Sequence, residues 1–170
     1  MPILVAAVVL AIALCLLNLL LTLAILRRLR ATESRSAQRG VLAAGDTPAE
    51  FAASDTDGKP LTRDELRGTV LVGFFSTTCG ACTEELPNFL RRAAETAGGR
   101  SQVLAVVQGD AAAAADLAGA LAGVARVVVE EPNGPVGTAF QVAAMPAWTL
   151  LDDGTVRDSG IGVSPTPVMA

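Results

Sequence analysis

The sequence predicts a three-layer α/β domain that follows a single N-terminal transmembrane helix. Strand-like apolar runs alternate with helical patterns after residue 45, and an uncharged apolar run fills residues 3–26. With 170 residues, 51% of them hydrophobic and 18% charged, the chain is more apolar than a typical soluble domain. Its length suits one domain of ordinary size with an appendage.

The N-terminal apolar run is long enough to cross a bilayer. Residues 3–26 hold no charged residue, glycine or proline, and a helix of that length spans roughly 36 Å against about 30 Å of hydrocarbon. A cleaved signal peptide is the alternative, but only Met1 and Pro2 precede the run and arginines follow it. We therefore predict a retained anchor over residues 1–26, in which Cys15 is a small buried residue.

A polar, arginine-rich segment over residues 27–44 has no hydrophobic period and is predicted to be a linker. Five arginines lie in this segment and no basic residue precedes the apolar run, so the positive-inside rule would place the C-terminal part in the cytoplasm. The predicted domain covers residues 45–158, and the predicted loose tail covers residues 159–170.

The elements of the domain follow from hydrophobic period and turn residues. Residues 55–60 form a predicted hairpin tip, and Thr62 with Glu65 makes a capping box for a short helix that ends at Gly68. The apolar run at 70–75 indicates a central strand buried on both faces. The other predicted strands are 103–107, 126–129, 147–151 and 155–158, and the other predicted helices are 80–97, 111–121 and 136–140.

The composition excludes several classes of function. The sequence has no histidine, which removes Ser–His and Cys–His catalytic pairs and His-ligated zinc or copper. It has no tyrosine, only 4% aromatic residues and a net charge of −4, which disfavour a nucleic-acid partner. We therefore expect no metal, no cofactor and no nucleic acid, and the cysteines become the candidates for chemistry.

The motif Cys79-Gly80-Ala81-Cys82 lies where the predicted central strand ends and the next helix begins. Cysteines separated by two residues at a helix start can form a disulfide with little backbone movement. The unpaired N–H groups there stabilise a thiolate by about 0.3–1 kcal/mol. We predict that Cys79 is the attacking nucleophile and Cys82 the resolving thiol.

Other uses of the cysteine pair are weaker. A zinc site needs four ligands, and the sequence has neither a second cysteine pair nor a histidine to complete one. The missing histidine also disfavours a copper site. A structural disulfide remains an alternative, although it would close a very short loop and stabilise the fold little.

Three stretches resemble the TlpA/ResA type of membrane-anchored redoxin in the thioredoxin-like superfamily. They are residues 58–82, which end in the cysteine pair, residues 84–87, and residues 145–154, which hold a Met-Pro loop, a strand and a glycine turn. The resemblance extends over residues 46–158 and implies a thioredoxin-like fold that performs thiol–disulfide exchange.

The resemblance also implies roles for individual residues. In this family a proline, here Pro87, kinks the active-site helix. A cis proline packs beside the cysteine pair and the backbone of the preceding residue pairs with an extended substrate, and these roles fall on Pro146 and Met145. Thr78, which stands where the family usually has tryptophan, completes the candidate substrate-binding residues.

The chain departs from the family pattern at several further positions. Gly73 stands where many thioredoxins hold a buried acid that removes the proton from the resolving thiol. Without that acid, either Cys82 is activated slowly or Glu84 or Glu85 assists instead. Ala81 replaces the common proline between the cysteines, and no final helix is evident after residue 158. These departures affect the expected turnover rate more than the thiol chemistry itself.

We therefore expect a membrane-anchored thiol–disulfide oxidoreductase that acts on protein disulfides, as a reductase rather than an oxidant. One alternative is an accessory or maturation factor that holds a client protein without turnover, which Thr78 and the missing acid favour. The other is a peroxidase of the redoxin class, but that chemistry needs an arginine beside the cysteine, and none lies between Arg67 and Arg91.

The expected partners are disulfide-containing or thiol client proteins and a membrane electron donor. The expected location is the cell membrane, reached through a single span over residues 3–26. The family resemblance places the domain outside the cytoplasm, whereas the arginine distribution favours the opposite side. Because a reducing cytosol already supplies soluble thioredoxin, we favour the extracytoplasmic side.

Overall fold

The structure, a computed structural model, describes Asn18 and residues 40–162. The chain divides into two compact units, Met1–Ser36 and Ala37–Ala170, and the fold below is that of the second unit. Apart from Asn18, the predicted anchor over residues 1–26 lies outside the described residues. Among the residues that are described, no helix combines the length and the apolar character needed to cross a membrane.

Residues 40–162 form a five-stranded mixed sheet with helices on both faces, together with a separate two-stranded hairpin. The strands are β1 Ala52–Ser54, β2 Pro60–Thr62, β3 Thr69–Ser76, β4 Val103–Gln108, β5 Arg126–Glu130, β6 Ala147–Asp152 and β7 Thr155–Ile161. The α-helices are α1 Gly80–Glu95, α2 Ala111–Ala122 and α3 Pro135–Ala139. The sheet order is β5-β4-β3-β6-β7. The strands β3, β4 and β5 run parallel to one another, β6 pairs antiparallel with β3, and β7 pairs antiparallel with β6.

The predicted layered α/β architecture is confirmed, and β3 is its central strand. Val72 and Phe74 face a core that includes Phe140 at the end of α3, while Leu71 and Phe75 face a second core that includes α1 and α2. All four of these β3 side chains are fully buried, as the apolar run predicted. The end of β3 that leads into α1 is therefore fixed from both sides.

The predicted hairpin tip is confirmed, and a buried aspartate holds it. One oxygen of the Asp55 carboxylate accepts the backbone N–H of Asp57 over 3.1 Å and that of Lys59 over 2.9 Å. The second oxygen lies 3.3 Å from Nε of Arg126 on β5. The turn chemistry of Asp and Gly thus closes the hairpin and ties it to the sheet.

The capping box after the hairpin is present, but the helix that it starts is short. The Thr62 backbone N–H donates to the Glu65 carboxylate over 3.1 Å. The element is a single 3₁₀ turn, Arg63–Glu65, because Leu66 turns inward and is buried before β3 begins. A capping signal fixes where a helix starts and says little about its length.

Strand β7 continues beyond its predicted end at residue 158, so the predicted tail begins too early. Ile161 pairs with Ala147 and Gly160 pairs with Trp148 across the β6–β7 ladder. A side chain at position 160 would place its Cβ 3.0 Å from the indole nitrogen of Trp148, so the glycine allows the indole to pack closely against β7. The two prolines and the turn residues after residue 159 favour a loose segment in the sequence, and this pattern hides the end of the strand. Residues 163–170 lie outside the described residues.

The last residues of the predicted linker, 40–44, belong to the domain. Val41 and Leu42 are each 3% exposed and join the core that contains Phe140. The Leu42 N–H donates to the carbonyl of Phe140 over 3.1 Å, and its own carbonyl accepts the Ser159 hydroxyl over 2.6 Å. Two apolar residues alone create no detectable period, so the sequence pattern placed the boundary too late.

Both outer strands of the sheet carry bound chain along part of their free edge. On β5, the carbonyl of Val127 accepts the N–H of Thr56 from the hairpin tip over 2.8 Å. On β7, Val156 exchanges hydrogen bonds with Gly45 and Asp46, each 2.8 Å long. Chain bound in this way covers backbone groups that a free sheet edge would expose.

Candidate active site

Cys79 lies between the end of β3 and the first residue of the active-site helix α1. It is the N-cap of α1, and its sulfur accepts the backbone N–H of Cys82 over 3.2 Å. A helix start leaves N–H groups without intrahelical partners, and an N-cap side chain satisfies one of them. The sulfur of the partly exposed Cys79 therefore lies at the positive end of the helix dipole.

Cys82 lies one helical turn further on, in an opposite environment. It is 1% exposed and packs in the core between the sheet and α1. Burial, followed by its hydrogen bond with Cys79, raises the pKa of the Cys82 thiol to about 12. The N–H of Ser76 points at the Cys82 sulfur over 3.5 Å and acts against that rise. Both cysteines are free thiols, so the site is in its dithiol form.

The structure brings the predicted Met-Pro loop to the cysteine pair. The Met145–Pro146 peptide bond is cis, as the resemblance implied. The Cys79 thiol donates to the carbonyl oxygen of Met145 over 3.3 Å. Pro146 is buried and Met145 is half-buried, so the backbone before the proline borders the accessible sulfur.

Thr78 and Ser76 form a small hydroxyl pair beside the cysteines. Thr78 is exposed, its N–H donates to Ser76 Oγ over 3.3 Å, and the two hydroxyl oxygens are 3.1 Å apart. The Ser76 carbonyl also accepts the Cys79 N–H over 3.3 Å. Sequence reasoning singled out Thr78 and missed Ser76, although a serine that ends a strand before Thr-Thr is a signal for such a turn.

A phenylalanine ring occupies the place of the missing buried acid. A Cβ built on Gly73 would collide with the ring of Phe89, which contacts Phe75 edge-on with centroids 5.0 Å apart. Position 73 therefore has no room for a carboxylate beneath the helix. The two glutamates considered as substitutes lie on the helix surface, where Glu84 is exposed and Glu85 accepts the Asn88 amide over 3.0 Å.

A buried carboxylate at the end of β5 was missed by sequence reasoning. Glu130 is 8% exposed and accepts hydrogen bonds from the backbone N–H groups of Val136 and Gly137, at 2.9 and 2.8 Å, and from the amide of Gln108 at 3.1 Å. The sequence offers no sign that distinguishes it from the exposed Glu131 beside it. Their burial differs because β5 directs only one of them at α3.

A metal centre does not emerge from the geometry. Within residues 40–162 there is no group of three or more cysteine or acidic side chains placed to hold a metal ion.

The dithiol lies at the start of a helix that follows the central strand, and a cis-proline loop borders it. This is the arrangement of thioredoxin-like thiol–disulfide oxidoreductases. The Redoxin family model matches residues 43–169, and this chain belongs to the Redoxin family. The family model begins two residues before the predicted start of the domain and continues past β7.

Solved structures of the same fold include several redox proteins. A candidate thiol:disulfide interchange protein DsbE from Chlorobium tepidum is 28% identical, with a TM-score of 0.52 over 73% of this chain and 89% of that one. The exposed lipoprotein thioredoxin from Streptococcus pneumoniae is 25% identical, with a TM-score of 0.50 over 68% and 91%. A thio-disulfide isomerase from Thermus thermophilus is 19% identical, with a TM-score of 0.57 over 72% and 89%. No curated protein matches the sequence.

Proposed function

We propose that this protein is a membrane-anchored reductase of protein disulfides, in which Cys79 attacks and Cys82 resolves. The observation that carries the proposal is the contrast between the two sulfurs. The Cys79 sulfur is partly exposed at a helix start and lies 3.3 Å from a backbone carbonyl that borders it, whereas Cys82 is buried behind it. An attacking thiol must reach the client, while a resolving thiol needs to reach only its neighbour.

The reaction transfers two electrons from the dithiol to the client. The Cys79 thiolate attacks one sulfur of the client disulfide, whose S–S bond breaks as the other client sulfur leaves as a thiolate and takes up a proton. Cys82 then loses its proton and attacks the Cys79 sulfur. The mixed disulfide breaks, Cys79 and Cys82 become a disulfide, and the client leaves as a dithiol. A membrane dithiol donor would restore the starting state.

The Met145 loop would hold the client during the first step. In the free protein the Met145 carbonyl accepts the Cys79 thiol, which leaves this backbone group at the reacting sulfur. An extended client segment would pair with the same backbone and present its sulfur to Cys79, with Thr78 on the exposed side. Thr78 gives that side a small polar surface where a tryptophan would give a large apolar one.

The proposed direction, from the dithiol to the client, is compatible with the raised pKa of Cys82. Strong oxidants of this fold owe their potential to a reduced form that is stabilised as a thiolate. Burial disfavours the Cys82 thiolate and raises its pKa to about 12, so the reduced form gains no such stabilisation from this sulfur. The Cys82 sulfur therefore adds nothing to an oxidising potential.

A second candidate function is supported by the Phe89 ring at Gly73. Without a buried acid, the Cys82 proton leaves slowly and a mixed disulfide with the client is long-lived. Such a protein would hold a client during maturation without rapid turnover. Catalytic reduction of insulin by the purified chain, with a dithiol as electron source, supports the reductase, and a single stoichiometric reaction supports the holding factor.

Substitution of each cysteine tests the assigned roles. We expect Cys79→Ser to abolish disulfide exchange, because the remaining sulfur is buried. We expect Cys82→Ser to accumulate mixed disulfides with clients, because nothing displaces the captured sulfur. Thiol trapping and non-reducing electrophoresis of the full-length variants measure both results. Wild-type behaviour of either variant would contradict the mechanism.

We also propose that residues 3–26 anchor the chain and that the domain lies outside the cytoplasm. The length of the apolar run supports the anchor, and a dithiol that reduces clients is useful where disulfides persist. A C-terminal reporter that is active only outside the cytoplasm should be active, whereas activity of a cytoplasmic reporter would reverse the orientation, as the five arginines after the run would favour.

A further inference from the structure

Glu130 is a buried titratable group that the thiol mechanism does not use. All three groups that contact its carboxylate are hydrogen-bond donors, two of them the backbone N–H groups of Val136 and Gly137 at the start of α3 and the third the Gln108 amide. A carboxylate offers acceptor sites to all three donors. The carboxylate thereby fixes α3 against the ends of β4 and β5.

The chain is shaped around this carboxylate. A Cβ built on Gly134 would lie 2.6 Å from a carboxylate oxygen of Glu130, and one on Gly137 would lie 2.9 Å from the other. Neither distance occurs for real side chains, so both positions need glycine for the carboxylate to fit. An exposed surface glutamate would impose no such requirement on its neighbours.

The same residues connect the two loops that border the reacting sulfur. On one side, the carbonyl of Gln108 accepts the N–H of Thr77, two residues before Cys79, over 3.0 Å. On the other side, the carbonyl of Gly137 accepts the N–H of Val142 over 2.9 Å, in the segment that leads to Met145. Glu130 and Gln108 lie between these loops and are bound to each other.

We propose that Glu130 is a positioning residue for client binding, which holds the Met145 loop at the distance from Cys79 that an extended client requires. The proposal rests on the proposed function, because it assumes that clients pair with the Met145 backbone. Glu130 itself touches neither the client nor the sulfurs. It acts through α3, whose first two N–H groups it binds.

Glu130→Gln tests the proposal, because the amide places a donor against one of the three donors that surround it. Glu131→Gln is the matched control, since the neighbouring side chain is exposed. Full-length variants in detergent are assayed with a peptide disulfide and with a small aromatic disulfide that is too short to pair with a backbone. Trp148 fluorescence reports whether each variant is folded.

For Glu130→Gln we expect KM for the peptide to rise about tenfold, ~1.4 kcal/mol, with kcat and the rate with the small disulfide unchanged. Glu131→Gln should match the wild type. An unchanged KM, or an equal loss with both substrates, would overturn the positioning role and leave the dithiol mechanism intact. A wild type that reduces the small disulfide but not the peptide would overturn the proposed function and the role of Glu130 together.

A second variant keeps the test valid if Glu130→Gln does not fold. Gln108→Met removes one donor to the carboxylate and leaves the two backbone N–H groups in place. We expect a smaller rise in KM for the peptide, about twofold to threefold, again without a change for the small disulfide. A folded Gln108→Met chain with the wild-type KM would contradict the proposal.

Discussion

At the scale of single residues, two positions separate Cys79 from Cys82, yet their sulfurs have opposite surroundings. The first is an N-cap at the open end of a helix, and the second lies one turn deeper, in the core. Helix geometry alone produces this contrast, because the N-cap side chain folds back over the first turn while the third helical residue faces the sheet. The spacing of the motif therefore places one sulfur near the surface and the other in the core, as the proposed attacking and resolving roles require.

The raised pKa of Cys82 predicts a strong pH dependence for the resolving step. Burial is its main cause and persists when Cys79 is in a mixed disulfide, so the Cys82 thiolate is scarce at neutral pH. Its fraction grows roughly tenfold for each pH unit below the pKa of about 12. We expect the resolving rate to rise accordingly between about pH 7 and pH 9.

Loading Cys79 with a chromogenic aromatic thiol through a mixed disulfide isolates this step, because attack by Cys82 releases the coloured thiolate. The Cys82→Ser variant is the control and should release none. A resolving rate that levels off near neutral pH would show that the Cys82 proton is more acidic than its burial indicates.

At the scale of elements, Gly73 and Phe89 join the central strand to the active-site helix. Gly73 on β3 has no side chain, and the aromatic ring of Phe89 on α1 fills the space that one would occupy. We expect Gly73→Ala to destabilise the domain by about 1–3 kcal/mol, because the ring must shift in a packed core. Urea unfolding of residues 37–170, the second compact unit, measures the change.

Gly119 in α2 provides a matched control for that substitution. A Cβ at this position meets nothing within 4 Å. Gly119→Ala should therefore stabilise the same unit by about 0.5–1 kcal/mol, since alanine is the better helix former. Equal effects of the two substitutions would mean that the ring does not restrict position 73.

The Asp55 carboxylate ties the hairpin to β5 and predicts a loss of stability in acid. Burial alone would raise its pKa, but the Lys59 N–H and the Arg126 guanidinium outweigh burial and lower the pKa below its ordinary value of 3.8. A lowered pKa in the folded state adds stability that is present above pH 3.8 and is lost as the pH falls through the folded value.

We expect Asp55→Asn to cost about 1–2 kcal/mol at neutral pH and to lose this part of the acid dependence. Asp116→Asn, at an exposed position of α2, should change neither quantity. Urea unfolding near pH 7 and near pH 3 distinguishes the variants. An identical acid loss in wild type and Asp55→Asn would place the titrating group elsewhere.

At the scale of the whole molecule, charge is unevenly distributed along the chain. The sequence holds no lysine or arginine in residues 68–90, 101–125 or 127–156. The parallel strands end within these segments, next to the cysteine pair, where the exposed acids Glu84 and Glu131 lie. Within residues 40–162, the segments that hold these strand ends therefore contain acidic residues and no basic ones.

This distribution predicts a preference for cationic clients. A peptide disulfide flanked by lysines should react faster than the same peptide flanked by glutamates, and added salt should reduce the difference. Stopped-flow rates at low and high ionic strength measure the effect. If both peptides react at the same rate in low salt, the charge near the site does not influence encounter.

The order of strands and helices, the central strand and the cysteine pair could be predicted because each depends on neighbours in the sequence. Features that depend on distant contacts could not. Nothing near Glu130 in the chain distinguishes it from Glu131. The contact between Gly73 and Phe89 can be predicted only when it is known how α1 crosses β3. Val41 and Leu42 are too few to form a pattern, yet the core buries them.

The partly covered edges of the sheet affect how such a protein would interact with partly unfolded clients. A chain that forms covalent adducts with partly unfolded clients is surrounded by segments that seek a strand to join. The hairpin tip at Val127 of one outer strand and residues 45–46 at Val156 of the other leave less of the sheet edge free for such segments to join. Under the proposed function, this partial coverage favours capture through a reversible sulfur bond over addition of a client strand to the sheet.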